Sequence, residues 1–178
     1  MSSQRTPVQP PPAFYRVQHD RSFTRYDDDE FEARGHYSMD WGHWINRRKL
    51  ERHLNWEDRS PEPSPFISAN YLYILTSHLP TTDDAQDRAR SLRRRGCTGV
   101  FIARIDARSL ELGYLPIQFR NMPTVDLPAW RDRDTGVIFL STPDVQWHLG
   151  IQRPISQISE WFALDEIPRE MILNEYQR

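Results

Sequence analysis

Three side chains of complementary chemistry stand far apart along the chain: Arg16 in AFYRVQH, Ser68 in SPFISAN and Glu160 in SEWFAL. An arginine offers a planar fork of donors that can hold a phosphate or brace nearby backbone. A serine hydroxyl both donates and accepts, so it can bridge two groups. An ionised glutamate can stabilise positive charge that develops in a transition state. Taken singly, each also has an ordinary account. Arg16 could be a partly exposed strand residue paired with Asp20, Ser68 a strand-end serine satisfying backbone, and Glu160 a surface residue on an edge strand. The two accounts differ in whether the fold brings the three together.

The elements that would do so can be read from the patterning. Residues 1–12, rich in Pro, Gln and Ser, read as an extended or disordered arm, and 13–178 as a single domain. AFYRVQH (13–19) has the aromatic and β-branched character of a strand. The acidic run Asp27-Asp28-Asp29-Glu30 reads as a solvated turn, because a metal site needs ligands converging from several directions. DWGHWINRRKLERHLNW (40–56) is a helix candidate with Asp40 as cap and Trp41, Trp44, Ile45 and Leu54 near one face. His43 and His53 stand too far apart along it to share a metal.

A short strand in PFISAN (65–70) precedes YLYILTSHLP, whose state the pattern leaves open. TTDDAQDRARSLRRRG (81–96) reads as a second helix, with Ala85, Ala89 and Leu92 inward and Gly96 ending it. TGVFIARIDA (98–107) alternates like a strand. Residues 108–135 carry several prolines and no stable period, so they read as loop and short pieces; STPD (141–144) reads as a turn. GVIFLS, SQISEWFAL and EMILNEY are the late strand candidates. Short strands outnumber helices, which predicts an α+β domain.

Composition bounds the function. With 38% hydrophobic and 27% charged residues over 178 positions, the chain is globular and long enough to bury a core. A formal net charge of −2 lacks the basic excess of a typical nucleic-acid binder. The arginines of RARSLRRR (88–95) could touch phosphates, but they share a helix with a buried stripe and read first as a solvated face. Cys97 is the only cysteine, which excludes an intrachain disulfide, and nothing beside it in sequence activates it. The N-terminal residues lack a signal-peptide pattern and no apolar run is long enough to span a bilayer. The expectation is a cytoplasmic protein with no membrane partner and no metal.

The pieces FYRVQHD, SPFISAN and SEWFALDEIP, in that order, resemble the Arg–Ser–Glu class of ADP-ribosyltransferases, which includes cholera-type enterotoxins, pierisin-like toxins and related fungal domains. That class has an arginine in its first strand, an apolar-apolar-Ser-Thr-Ser middle strand, and a late strand opened by its glutamate. GVFIARID is similar to the strand that follows the helix in that class, and REMI after Ile167-Pro168 is similar to the segment beyond its glutamate. The resemblance covers most of the chain. It implies a split β-sandwich with flanking helices, with NAD bound as substrate in a cleft between two small sheets.

In that reading Glu160, Ser68 and Arg16 are the catalytic set. Glu160 would stabilise the oxocarbenium-like ribosyl cation, Ser68 would orient Glu160 and the ribose, and Arg16 would support the pyrophosphate end. His53 falls where such sequences often carry a histidine, and is implied as a ligand-orienting residue alongside Arg16 and Ser68. Two departures bear on whether catalysis is retained, and the second also bears on the acceptor. Ser-Thr-Ser is Ser68-Ala69-Asn70 here, and Ile158 stands where arginine-modifying toxins carry a second acid. The implied acceptor is therefore a protein nucleophile other than arginine, a nucleic acid, or water in plain NAD hydrolysis. Two competing readings are a catalytically inactive binding module on the same fold, and a nucleic-acid binder acting through residues 88–95.

Overall fold

In the computed structural model the described residues are 5–34, 45–54, 64–70, 83–117, 124–151 and 160–176. Their strands in chain order are β1 (Ala13–Gln18), β2 (Arg25–Asp27), β3 (Glu30–Glu32), β4 (Phe66–Asn70), β5 (Phe101–Asp106), β6 (Leu110–Ile117), β7 (Val125–Asp132), β8 (Ile138–Ser141), β9 (Glu160–Leu164), β10 (Glu166–Ile167) and β11 (Ile172–Tyr176). Three helices lie among them: α1 (Arg47–Leu54), α2 (Asp83–Arg94) and α3 (Thr142–Leu149). The large sheet has eight strands in the order β11-β5-β1-β4-β9-β8-β7-β6, and the small one has three in the order β10-β3-β2. All pairings in both sheets are antiparallel. The domain is α+β, as the balance of strands and helices predicts.

Strand alternation divides the large sheet into two faces, because successive side chains point to opposite sides. On one face Phe14, Ile67, Ala69, Phe139, Trp161 and Ala163 pack with Phe31 and Ile167 of the small sheet. On the other, Phe66, Leu140, Phe162 and Leu164 pack against Leu50 and Leu54 of α1 and Val145 and Leu149 of α3. Tyr15 and Ile102 on that same face meet Ala89 of α2, with Ala85 and Leu92 alongside. The result is three layers: helices, large sheet, small sheet. The helix face holds two separate apolar clusters, one under α1 and α3 and one under α2.

Several elements differ from the sequence expectation. Residues 108–135, expected as loop and short pieces, contain β6 and β7, the longest strands present, paired residue for residue from Leu110↔Asp132 to Ile117↔Val125. Proline normally argues against a strand because it lacks an N–H for the ladder. Pro116 lies on β6, which is the sheet edge. Pro128 lies outside the register pairs that join β7 to β8, Trp130↔Phe139 and Arg131↔Ile138. Both rings therefore sit where the ladder tolerates them.

STPD, expected as a turn, opens α3. Ser141 caps it, its hydroxyl accepting from the Asp144 amide at 3.2 Å, and proline occupies the first turn where a missing N–H does no harm. Of the expected helix 40–56 the described part is helical over Arg47–Leu54, where the Asn46 side chain accepts from Lys49 N–H at 3.0 Å, and the expected cap Asp40 lies outside the described residues. Trp41 and Trp44 lie outside the described residues. The stretch expected as an extended or disordered arm is, over residues 5–12, an extended segment laid on the domain. Val8 N–H donates to the Asp144 carboxylate at 3.0 Å, and the Pro12 carbonyl accepts from Ala107 N–H at 3.1 Å.

Candidate functional site

The three residues singled out by chemistry fall on three neighbouring strands: Arg16 on β1, Ser68 on β4 and Glu160 on β9. Register fixes their relation. Ser68 faces Phe162 and Asn70 faces Glu160, so Ser68 and Glu160 share the helix face as diagonal neighbours, a relation that sets such residues about 7–8 Å apart. Arg16 faces Ala103, which packs with the small-sheet core, so its backbone position belongs to the opposite face.

Its guanidinium nonetheless meets Ser68, because the sheet is open there. Among the described residues β1 and β4 share the register pair Tyr15↔Asn70, and the ladder does not continue from there toward Ser68. Beyond it, Arg16 Nη1 donates to the Ser68 carbonyl oxygen at 2.5 Å, and Nη2 donates to Gln18 Oε1 at 3.1 Å. Gln18 is held in turn by donating to the Thr24 carbonyl at 2.8 Å. The cation also stands 5.3 Å from the Phe31 ring centroid. A side chain thus replaces the backbone ladder between the two strands. Arg16 is 8% exposed, and burial, with the Arg88 charge added, pulls its pKa down to about 9. It remains a cation at neutral pH. It is not paired with Asp20, which is bonded to Thr98.

His53, at the end of α1, completes the group. Its Nε2 lies 3.1 Å from Ser68 Oγ and its Nδ1 lies 3.0 Å from Ser64 Oγ. The ring packs against Phe66 and Phe162, with centroids at 5.1 and 5.2 Å. Burial first, and the Arg16 cation second, push its pKa down to about 3. The imidazole is therefore neutral at physiological pH, with one N–H to donate and one nitrogen to accept, and both serine contacts can be satisfied. A base this weak is suited to fixing the Ser68 hydroxyl rather than removing its proton.

Glu160 opens β9 in the middle of the sheet, not on an edge, and is 1% exposed with both carboxylate oxygens shielded from water. A charge so placed needs a counter-charge. Arg88, carried by α2 next to the buried Ala89, supplies one: its interaction with Glu160 opposes the effect of burial on the guanidinium. The Arg88 charge also acts on Arg16 and His19. Within the 88–95 run expected to be a solvated face, Arg88 is exposed yet electrostatically part of this site. Its proximity to an inward alanine was the available signal, and strand order was needed to use it. Ile158 and Ser159 lie outside the described residues.

The arrangement is a cationic and hydroxyl-lined seam where β1 parts from β4, flanked by α1 and α2 and containing one buried carboxylate. It sets positive charge at Arg88, a fixed hydroxyl at Ser68 and a buried carboxylate at Glu160 close to one another. The profile of a family described as "Domain of unknown function (DUF7587)" matches residues 9–177, nearly the whole chain, and the protein belongs to that family. No curated protein matches it. No solved structure matches it.

Proposed function

We propose that this domain is an ADP-ribosyltransferase-like protein, a split β-sandwich with flanking helices, that takes NAD as substrate. The observation that carries the reading is the meeting of Arg16, Ser68 and Glu160, widely separated in sequence, on the adjacent strands β1, β4 and β9. In the reaction, the bond between the nicotinamide nitrogen and the ribose carbon breaks and its electron pair leaves with nicotinamide. Glu160 stabilises the ribosyl cation that remains. A nucleophile of a protein or nucleic-acid acceptor, or water, adds to that carbon and gives up its proton. Ser68, held by His53, hydrogen-bonds the ribose. Arg16, bonded to Ser68 and Gln18, holds the strands at the seam and supports the pyrophosphate end, with the Arg88 charge adding to the positive field there.

The test is nicotinamide release from NAD by wild type and Glu160→Gln, with and without cell extract as a source of acceptors. Wild type should release nicotinamide, and the variant should lose at least about a hundredfold of that rate, as removal of one preorganised charge-stabilising group typically does. Absence of both NAD binding and nicotinamide release would overturn the reading. A second reading is a non-catalytic binding module on the same fold. It is favoured by the burial of Glu160 against Arg88, together with Ala69 and Asn70 in place of the class's threonine and serine. NAD binding without turnover, unaffected by Glu160→Gln, selects that alternative.

A further inference from the structure

The end of β1 and the turn after α2 bring together three metal-ligating side chains of different chemistry. His19 and Asp20 lie just beyond β1, and Cys97 comes directly after Gly96, which ends α2 in the left-handed region at φ 77°. One ligand atom from each, an imidazole nitrogen, a carboxylate oxygen and the sulfur, lie within 4.8 Å of one another. The two segments are locked together by their own bonds. Asp20 N–H donates to the Thr98 carbonyl at 3.0 Å, while Thr98 returns its N–H and its hydroxyl to the Asp20 carboxylate at 3.1 and 2.8 Å. The Cys97 amide is tied to the Leu92 carbonyl at 3.1 Å, so the thiol is carried by a capped helix end rather than a loose loop.

We propose that His19, Asp20 and Cys97 form a zinc site, with a water molecule as the fourth ligand. The donor set selects the metal: a thiolate and an imidazole suit Zn(II), whereas Mg(II) and Ca(II) take oxygen ligands. Thiolate and carboxylate together supply two negative charges, which balance the ion beside Arg16 and Arg88, whose charges both act on His19. Zinc–ligand bonds of about 2.0–2.3 Å place tetrahedral donor atoms roughly 3.3–3.8 Å apart, so the cluster has to contract by about 1 Å. Side chains can do this because Asp20 is exposed and His19 and Cys97 are half-buried. Thr98, donating twice to Asp20, is the outer partner that orients the carboxylate. A bound ion would pin the end of β1 to the α2–β5 turn. The site is independent of the proposed NAD chemistry.

The full chain, reduced and freed of metal, is titrated with Co(II) as an optical probe and then with Zn(II) as competitor. One equivalent of Co(II) should give a thiolate-to-cobalt charge-transfer band that one equivalent of Zn(II) removes. The band should vanish in Cys97→Ser, and His19→Gln should weaken binding at least about tenfold. In the wild type alone, Zn(II) should slow alkylation of Cys97 at least about tenfold, a readout that needs no variant to fold. A missing charge-transfer band, or an alkylation rate unchanged by Zn(II), would overturn the site.

Discussion

The edge and the middle of the same sheet are held by different means. β6 and β7 pair through eight consecutive residues, backbone to backbone, and this stretch accommodates Gly113, Pro116 and Pro128. Among the described residues β1 and β4 share one register pair, and from it toward Ser68 a buried arginine with its glutamine partner bridges the two strands. Backbone hydrogen bonds are available to almost any sequence, so the hairpin places few demands on residue type. Where the ladder opens, the carbonyl of Ser68 needs a particular donor at a particular place. Such a seam is costly to build, since it buries a cation, and it is also where a fold can expose functional groups to a ligand.

The largest expected break is at the seam. Arg16→Ala leaves the Ser68 carbonyl and the Gln18 amide buried without their donor, and should cost about 3–5 kcal/mol in urea unfolding. Arg16→Lys should recover little, because an ammonium cannot reach two acceptors in the fork geometry. An Arg16→Ala protein as stable as wild type would show that the backbone alone holds the seam.

The second effect is acid lability from His53. Its folded pKa, about 3, lies below its ordinary value of 6.5, so folding favours the neutral ring. The stability this contributes is fully present above pH 6.5 and is lost as pH falls from there toward 3. Wild type should therefore lose roughly 3 kcal/mol between pH 6.5 and pH 4 that His53→Gln does not lose, as read by urea midpoints across that window. Parallel pH profiles for the two proteins would contradict the buried neutral ring.

Smaller effects lie away from the seam. Ser141→Ala removes the cap of α3 and should cost about 1 kcal/mol in the same assay. Gly113→Ala, in the hairpin, places a Cβ 3.8 Å from the Ala129 carbonyl, an ordinary contact, and should change stability by no more than about 0.5–1 kcal/mol in either direction. A hairpin variant costing as much as Arg16→Ala would erase the contrast between the edge hairpin and the central seam.

Legibility in the sequence divides along the same line. β1, β5 and β8 are readable because their apolar residues alternate or run together, and α2 because Ala85, Ala89 and Leu92 recur at helical spacing. β6 and β7 are not, because a proline's tolerance depends on which neighbour each edge has, and that is decided by strand order. α3 is hidden since Ser-Thr-Pro-Asp serves a turn and a capped helix start equally well. Within the site, residue types suggest Arg16, Ser68, Glu160 and His53. Their distances do not follow from type: Ser68 is the middle of its strand, and Glu160 is a buried central residue rather than an edge one.

By itself, the sequence determined the α+β composition, the local periodicities and the inventory of groups able to do chemistry, all of which depend on neighbours within a few positions. The tertiary structure alone decided that β1 and β4 part between Asn70 and Ser68, that an arginine from the opposite face closes the gap, and that the Arg88 and Glu160 charges act on one another. It also decided that His19, Asp20 and Cys97 converge. These depend on which strands lie side by side, a choice made by burial summed over the whole sheet rather than by any one segment.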